Sequence, residues 1–334
     1  LSHHPSQCDP IRRMSSGTSP LGTRFAQEDD LKTDPLPSWT AGPRKDARLE
    51  FLDAAAEVPA CDRVAVFDND GTLWCEKPNY VQLEFMIAEL ARAVAADPAL
   101  GEREEYRALI EHDAAAQAEL GLERIALALV ELCAGIGPTD FDERVRTFFA
   151  NASHRDRAVS YRETRYAPML ELVDALRARE FDVFLVTGGG TEFVRTISLD
   201  FYDVSPDDVV GTLVTYQFDR GDDGRPHLVR GAALDGTAAN EGEVKVANIQ
   251  RHLGRRPIFA AGNSAGDREM LEYALASEGP SLALLVDHDD AEREYAYVAR
   301  AGTIDFEGDI VEFGRSLGWT IASIRHDWAT VFAT

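Results

Sequence analysis

In "VFDNDGTLW", residues 66–74, an apolar run ends in two aspartates, Asp68 and Asp70, followed by a glycine and a threonine. Two carboxylates at the end of a buried strand repel each other unless a cation sits beside them. Different surroundings can divide their labour. One can serve as nucleophile and metal ligand. The other can serve as general acid and base, protonating a leaving oxygen and then activating water. Gly71 permits a tight turn, and the Thr72 hydroxyl can hold it. Taken alone, the same residues equally fit an acidic turn that caps a helix.

Three further stretches carry matching chemistry. In "LVTGGG" (185–190), Thr187 supplies a hydroxyl, and Gly188 and Gly189 supply bare backbone amides of the kind that cradle anions at a helix N-terminus. In "EGEVKVANI" (241–249), Lys245 offers an ammonium for a phosphate oxygen. In "GNSAGDREM" (262–270), Asn263 and Asp267 are oxygen donors of the hard type that Mg²⁺ prefers. Each alone has an ordinary alternative: a flexible turn, a solvated lysine, an asparagine-capped turn. Together, in this order, they are far more specific.

The elements that must position these groups follow from hydrophobic patterning. Four short apolar runs, "RVAVF" (63–67), "DVFLV" (182–186), "PIFAA" (257–261) and "SLALLV" (281–286), have strand length and end in polar residues. Continuous apolar strands separated by helical patterns predict an α/β fold, a doubly wound parallel sheet covered on both faces. Ligands of such sheets lie beyond the carboxyl ends of the strands, and the residues just after these runs are Asp68 and Asp70, Thr187, Asn263 and Asp267, and Asp287 to Asp290. "VDHDDAEREYAY" (286–297) follows the last run, so His288, Asp289, Asp290 and Arg293 are expected on the same edge, as substrate or outer metal contacts or as a charged loop. The segment between the first two strands reads as helical: Tyr80, Leu83, Ile87, Leu90 and Val94 recur at spacings of three and four, and 121–135 and 139–152 continue the pattern, with Thr139 or Asp140 as an N-cap. Residues 168–181 read as the helix returning to the sheet, and a β-hairpin is expected around "GDDG" (221–224). The predicted organisation is a flexible N-terminal arm over 1–45, docking through Trp39, a core domain over 46–78 and 166–334, and an inserted helical cap domain over 79–165.

The set "DNDGT", "VTGGG", Lys245 and "GNSAGD" resembles the haloacid dehalogenase-like hydrolase superfamily, and within it the phosphoserine-phosphatase-like branch with a type 1 helical cap. The resemblance spans roughly residues 60–290 and implies a Rossmann-like core. It also implies that Asp68 forms an aspartyl-phosphate and that Asp70 is the acid/base and lends its backbone carbonyl to Mg²⁺. Thr187, Gly188, Gly189 and Lys245 would bind the phosphoryl group, and the metal would be held by Asp68, Asp70, Asn263 and Asp267. Asp70 itself points to phosphate-ester hydrolysis, because the true dehalogenases of the superfamily lack this second acid. Two positions depart from the branch. Asn263 stands where an aspartate is usual. Lys77, with Glu76 before it, stands where the serine-specific enzymes carry a glutamate. Phosphoserine is therefore not carried over as the substrate, and Glu76, Lys77, Tyr80 and Gln82 are candidate readers of the leaving group.

Composition narrows the partners. The 334 residues carry 58 Asp plus Glu against 34 Lys plus Arg, a formal charge of −24, which argues against a basic face for nucleic acid or anionic membranes. A small phosphorylated metabolite stays compatible, because a metal and a few local donors can reverse the sign inside a pocket. Cys8, Cys61, Cys75 and Cys133 form no CxxC pair, so neither a zinc site nor a disulfide framework is expected. With no apolar signal-peptide core in the first residues, a cytoplasmic protein is expected, an upstream export signal staying open. The expected activity is a Mg²⁺-dependent phosphatase for small phosphate monoesters. The alternatives are a phosphomutase or a phosphate-binding regulatory module with little turnover. The oligomeric state is not readable from the sequence.

Overall fold

All four residues of β1 (Val64–Phe67) are buried, and alternate side chains face opposite sides of a sheet. Ala65 and Phe67 enter one hydrophobic core, Val64 and Val66 another. This two-faced burial is why the run carries no polar alternation. A computed structural model of the chain describes residues 34–222, 224–236 and 238–334. The strands that follow β1 are β2 (Asp182–Gly190), β3 (Val209–Thr212), β4 (Val214–Arg220), β5 (Pro226–Leu234), β6 (Phe259–Gly262), β7 (Leu282–Asp287) and β8 (Thr320–Ser323). Six of them form one sheet in the order β3-β2-β1-β6-β7-β8, with every neighbouring pair parallel. The chain thus winds outward in both directions from β1, which places the topological switch point between β1 and β6. β4 and β5 make a separate antiparallel hairpin, as the pattern around residues 221–224 predicts.

The α/β architecture matches the predicted one, and the four apolar runs become β1, β2, β6 and β7. The two edge strands were not among those runs. β3 ("VVGT") and β8 ("TIAS") are only four residues long and carry small or polar residues, and β8 is half-buried, so composition does not announce them.

Helices cover both faces. α1 (Pro43–Ala55) packs Phe51 and Leu52 into the larger core. Between β1 and β2 come α2 (Val81–Ala96), α3 (Glu104–Ile110), α4 (Ala114–Leu120), α5 (Leu122–Leu132), α6 (Pro138–Asn151) and α7 (Ala167–Arg177). α8 (Thr191–Tyr202) follows β2, and α9 (Glu243–Leu253), α10 (Arg268–Leu275), α11 (Ile310–Ser316) and α12 (Ile324–Asp327) complete the described helices. Ile249, Met270, Leu271 and Ile310 from α9, α10 and α11 fill the smaller core. Burying side chains of this size stabilises the fold by roughly 1.5–3 kcal/mol each.

Three details depart from the sequence reading. The buried face of α2 is Val81, Phe85, Met86, Glu89 and Leu90 rather than the stripe through Tyr80 and Leu83. Glu89 is tolerated there because Arg92 and Arg144 meet it at 2.8 and 2.9 Å. α6 is entered from Gly137 with Pro138 in its first turn, not from Thr139 or Asp140. Proline is suited to that position because the first helical N–H has no partner inside the helix. The helix expected over 168–181 stops at Arg177, and the chain turns before β2 begins at Asp182, with Phe181 buried in the larger core.

The expected flexible arm over 1–45 falls mainly outside the described residues. Its later part is fixed: Leu36 and Trp39 are buried and α1 already starts at Pro43. The Trp39 indole N–H donates to Pro168 O at 2.9 Å, its ring meets Trp328 edge-on at 6.1 Å, and the Arg48 guanidinium lies over it at 4.1 Å. Leu36–Thr334 form one unit, in which helices of the 79–165 segment share the larger core with the sheet. Among the described residues, Cys61, Cys75 and Cys133 are not joined in disulfides. No helix among the described residues is long and apolar enough to cross a membrane.

Candidate active site

Beyond Phe67 the chain leaves β1 while still tied to its neighbour: Asp68 N donates to Ala261 O of β6 at 2.9 Å. A turn follows, closed by Leu73 N to Asn69 O at 2.8 Å and Gly71 N to Trp74 O at 2.9 Å. Gly71 has φ +73° and lies so close to Asn263 that a Cβ would run into the amide, so only glycine suits this position. The turn holds Asp68 and Asp70 at the carboxyl edge of the sheet.

Lys245 reaches this edge from the first turn of α9 and is buried. Its ammonium donates to Asp68 Oδ1 at 2.7 Å and to Asp267 Oδ1 at 2.6 Å. Three of the motifs named from the sequence therefore meet in one buried ion triad. Burial drives the Asp68 carboxyl up from its ordinary range, Asp267 adds to the push, and Lys245 opposes it. Burial also works against the Lys245 charge, but Asp267 and Asp68 together outweigh it and hold the ammonium above its usual value. Asp70 is raised to about 6, first by burial and then by Glu76, while the Trp74 indole N–H, 2.9 Å from Oδ1, restrains the rise. A carboxyl in that range can hold and release a proton near neutrality.

Thr187 comes to the same place from β2 and is fully buried. Its surroundings differ from the expected amide cradle. β2 runs through all three glycines, and Gly190 is also the N-cap of α8, so strand end passes straight into helix start. Gly189 N donates to the Thr187 hydroxyl at 3.0 Å, and Gly190 N donates to Gln82 Oε1 at 2.7 Å. Gly188 lies against Glu241, whose carboxylate leaves no room for a Cβ there.

The expected metal ligands divide into two groups. Asp267 has both carboxylate oxygens engaged: Oδ1 by Lys245, and Oδ2 by the amides of Asn263 and Ser264 at 3.0 Å each and the Ser264 hydroxyl at 3.2 Å. It therefore orients Lys245 and the 263–267 turn. Among the described residues no three His, Cys, Asp or Glu side chains converge as a metal-binding set. Asn263 tells a different story. Its Oδ1 is 3.5 Å from the Thr72 hydroxyl, while its Nδ2 is buried without a partner. An amide whose ends are exchanged would present oxygen at the orphaned position and its N–H₂ to the hydroxyl. Asp68, Asp70 and Asn263 line one cavity, and the Asp68 carboxylate, the Asn263 amide oxygen and the Asp70 carbonyl that the resemblance implies are oxygen donors of the kind a hard divalent cation takes.

Several participants had no readable signal in the sequence. Trp74 restrains Asp70, although an aromatic after "DGTL" reads as core. Glu241 joins the Thr303 hydroxyl and packs beside Gly188 and Gly266, bracing two motif loops. Glu192 at the start of α8 forms an ion pair with Arg230 of β5. These groups line a cavity of about 350 Å³ that opens from the carboxylates toward α2, α5 and α6. Glu76, Tyr80 and Gln82 also line it. Lys77 does not: its ammonium lies over the Tyr297 ring at 4.3 Å and pairs with Glu76 at 3.3 Å.

The segment from His288 to Arg293 lies beneath the nucleophile loop rather than in the cavity. His288 is buried, with Nε2 2.9 Å from Gly71 O and Nδ1 3.2 Å from Glu294 Oε2. Glu294 also accepts from Tyr166 OH and from the Cys75 thiol, each at 3.0 Å. Asp289 accepts from the Ser323 hydroxyl at 2.6 Å, and Asp290 accepts from Arg293 at 2.6 Å. The segment thus clamps the turn from outside. Burial pushes Glu294 up, but His288, the Cys75 thiol and the Tyr295 amide outweigh it and leave the carboxyl below its ordinary 4.5. A carboxylate held low in the folded state adds stability above its unfolded value and loses it as pH falls through the folded one. Glu294→Gln is therefore expected to reduce stability by about 1–3 kcal/mol near neutral pH. The deficit should shrink at about pH 3. Thermal melts at both pH values measure it, and an equal deficit at both would remove the ionised form from this account.

Comparison with known proteins follows from this geometry. A family model described as haloacid dehalogenase-like hydrolase matches residues 65–272. No curated protein matches the chain. Among solved structures, a protein of unknown function from Bordetella pertussis Tohama I is similar at 20% identity and TM-score 0.48, covering 78% of this chain and 97% of that one. A phosphoserine phosphohydrolase-like protein from Francisella tularensis is similar at 15% identity and TM-score 0.38, covering 76% and 99%. A probable phosphoserine phosphatase from Vibrio cholerae is similar at 15% identity and TM-score 0.40, covering 78% and 68%.

Proposed function

The chain belongs to the haloacid dehalogenase-like hydrolase family, and from that premise we propose that it hydrolyses small phosphate monoesters through an aspartyl-phosphate on Asp68. The observation that carries this reading is the buried Lys245 ammonium bridging Asp68 and Asp267, with Asp70 held beside it by Trp74.

Asp68 would attack phosphorus in line with the ester oxygen. The P–O bond to the alcohol breaks, and Asp70 delivers its proton to the departing oxygen. Asp70, now ionised, takes a proton from water, whose oxygen attacks the phosphorus of the acyl phosphate. Inorganic phosphate leaves and the Asp68 carboxylate is restored. Lys245 and the Thr187 hydroxyl hold the non-bridging oxygens through both steps. Mg²⁺, held by Asp68, the Asp70 carbonyl and Asn263, would neutralise charge so that a carboxylate can approach an equally anionic ester. We read the 79–165 segment as a cap that shields the reacting groups from bulk water. A small phosphorylated metabolite is the partner this reading requires.

The test is release of phosphate from an aryl phosphate, assayed after chelation of divalent ions and after Mg²⁺ is restored. Release only with Mg²⁺ supports the reading. No release above a protein-free control from any ester in a broad panel would end it. Trp74→Phe tests the role of Asp70. Removing the indole donor is expected to lower kcat about 10-fold, the equivalent of one hydrogen bond to a charged group. KM should stay within about 2-fold, because the indole acts on the proton-transfer step rather than on binding. An unchanged kcat would separate Trp74 from the orientation of Asp70.

A further inference from the structure

The cavity is most polar at its catalytic end and mainly apolar beyond it, where Gln117, Glu192 and Arg230 are the polar exceptions. Away from Asp68 its walls are aliphatic and aromatic, with Leu83 and Met86 from α2, Leu129 from α5, Phe141 from α6 and Val214 and Leu234 from the hairpin. Its volume of about 350 Å³ lies within the range of pockets that enclose drug-sized ligands, ~300–1,000 Å³. A phosphoryl group fills only the polar end.

One cation interrupts the apolar wall. Arg230 is buried, and its backbone is pinned by Arg230 N to Ile136 O at 2.9 Å and Gly135 N to Arg230 O at 2.8 Å. Its guanidinium lies over the Phe141 ring at 4.0 Å and is ion-paired with Glu192. Its Nε–H and Nη1, like Oε1 of Glu192, have no hydrogen-bond partner. A buried donor left unpaired is unfavourable and marks a place where a ligand acceptor fits.

The charges decide what kind of acceptor. Glu192 is the acidic partner of Arg230, with its carboxyl raised to about 7 by burial, and Asp70, Glu76 and Glu241 line the same cavity. A further carboxylate in the leaving group would be a buried charge without compensation. A sugar or polyol would bring several hydroxyls against walls that offer few partners.

Building on the phosphatase reading above, we infer that the leaving alcohol is bulky and largely apolar and carries one neutral acceptor, such as a carbonyl or ether oxygen, for the Arg230 Nε–H. The occupant is a lipophilic or aromatic phosphate monoester rather than a phosphorylated amino acid or sugar.

The experiment compares kcat/KM, with Mg²⁺ present, for 4-acetylphenyl phosphate, decyl phosphate, O-phosphoserine, glucose 6-phosphate and methyl phosphate. The two apolar esters are expected to exceed phosphoserine and glucose 6-phosphate by at least about 10-fold, from burial of several methylene equivalents. Ala126 lines the cavity yet is exposed on α5, so Ala126→Trp can obstruct the chamber without disturbing the core. That variant is expected to lose about 10-fold on the apolar esters and to stay within about 2-fold on methyl phosphate. Equal efficiency across the series, or a uniform response to Ala126→Trp, overturns the inference and leaves the phosphatase reading standing. No turnover of any ester, methyl phosphate included, overturns both.

Discussion

Asp68→Asn is expected to lower kcat for aryl phosphate hydrolysis by on the order of 10³-fold or more, while the protein stays folded. The amide has the shape of the carboxylate and can still accept from Lys245 through its oxygen, but it is not a nucleophile at phosphorus. The fold should tolerate the change for an electrostatic reason. In the wild type, burial and the neighbouring Asp267 both disfavour the Asp68 charge. After the substitution Lys245 keeps Asp267 as its counter-charge at 2.6 Å. The melting temperature should therefore hold or rise slightly, and circular dichroism with a kinetic assay reads both quantities. A variant that kept a tenth or more of the wild-type rate would exclude Asp68 as the attacking group.

Lys245→Met is expected to fail in both respects. Methionine matches the length of the stem but removes the ammonium, leaving Asp68 and Asp267 buried beside each other without a cation. Breaking a buried ion pair by deleting one partner is destabilising by about 3–5 kcal/mol. In a chain of this size that corresponds to a fall in Tm on the order of 5–15 °C. Activity should drop about 10²–10³-fold, the scale seen when one donor to the developing charge is lost. A second substitution separates the two effects. Lys245→Met with Asp267→Asn removes the surplus charge and is expected to recover part of the stability but none of the activity. A double variant no more stable than the single would show that the loss comes from packing rather than from unpaired carboxylates.

The parts of this molecule that the sequence made legible are those encoded locally. A strand buried on both faces must be continuously apolar, so β1, β2, β6 and β7 stand out in the text of the chain. Their carboxyl ends must emerge on one edge of a parallel sheet, so the residues that follow them share a neighbourhood even though the chain between them is long. That reasoning brought Asp68, Asp70, Thr187, Asn263 and Asp267 into one set before any contact was known, while Lys245, on a helix, joined it only through the family resemblance. It did less well for β3 and β8, because an edge strand needs less apolar surface.

Tertiary structure alone decided how those residues divide their bonds. Lys245 and Asp68 are 177 residues apart, and no local pattern states that one ammonium will bridge two carboxylates. The same holds for Asp267, whose oxygens are saturated by its own turn and by Lys245, and for Asn263, whose amide is left with an unpaired end. Trp74, Glu241 and the Arg230–Glu192 pair read as unremarkable positions in one dimension, and His288, expected at the catalytic edge, instead meets the Gly71 carbonyl from beneath the nucleophile loop. Their roles arise because a buried polar group must find a partner, and which partner is near depends on how helices and loops stack in space. Hydrophobic periodicity therefore determined the layers and the edge where chemistry gathers. The pairing of charges within that edge was set by packing across the whole chain.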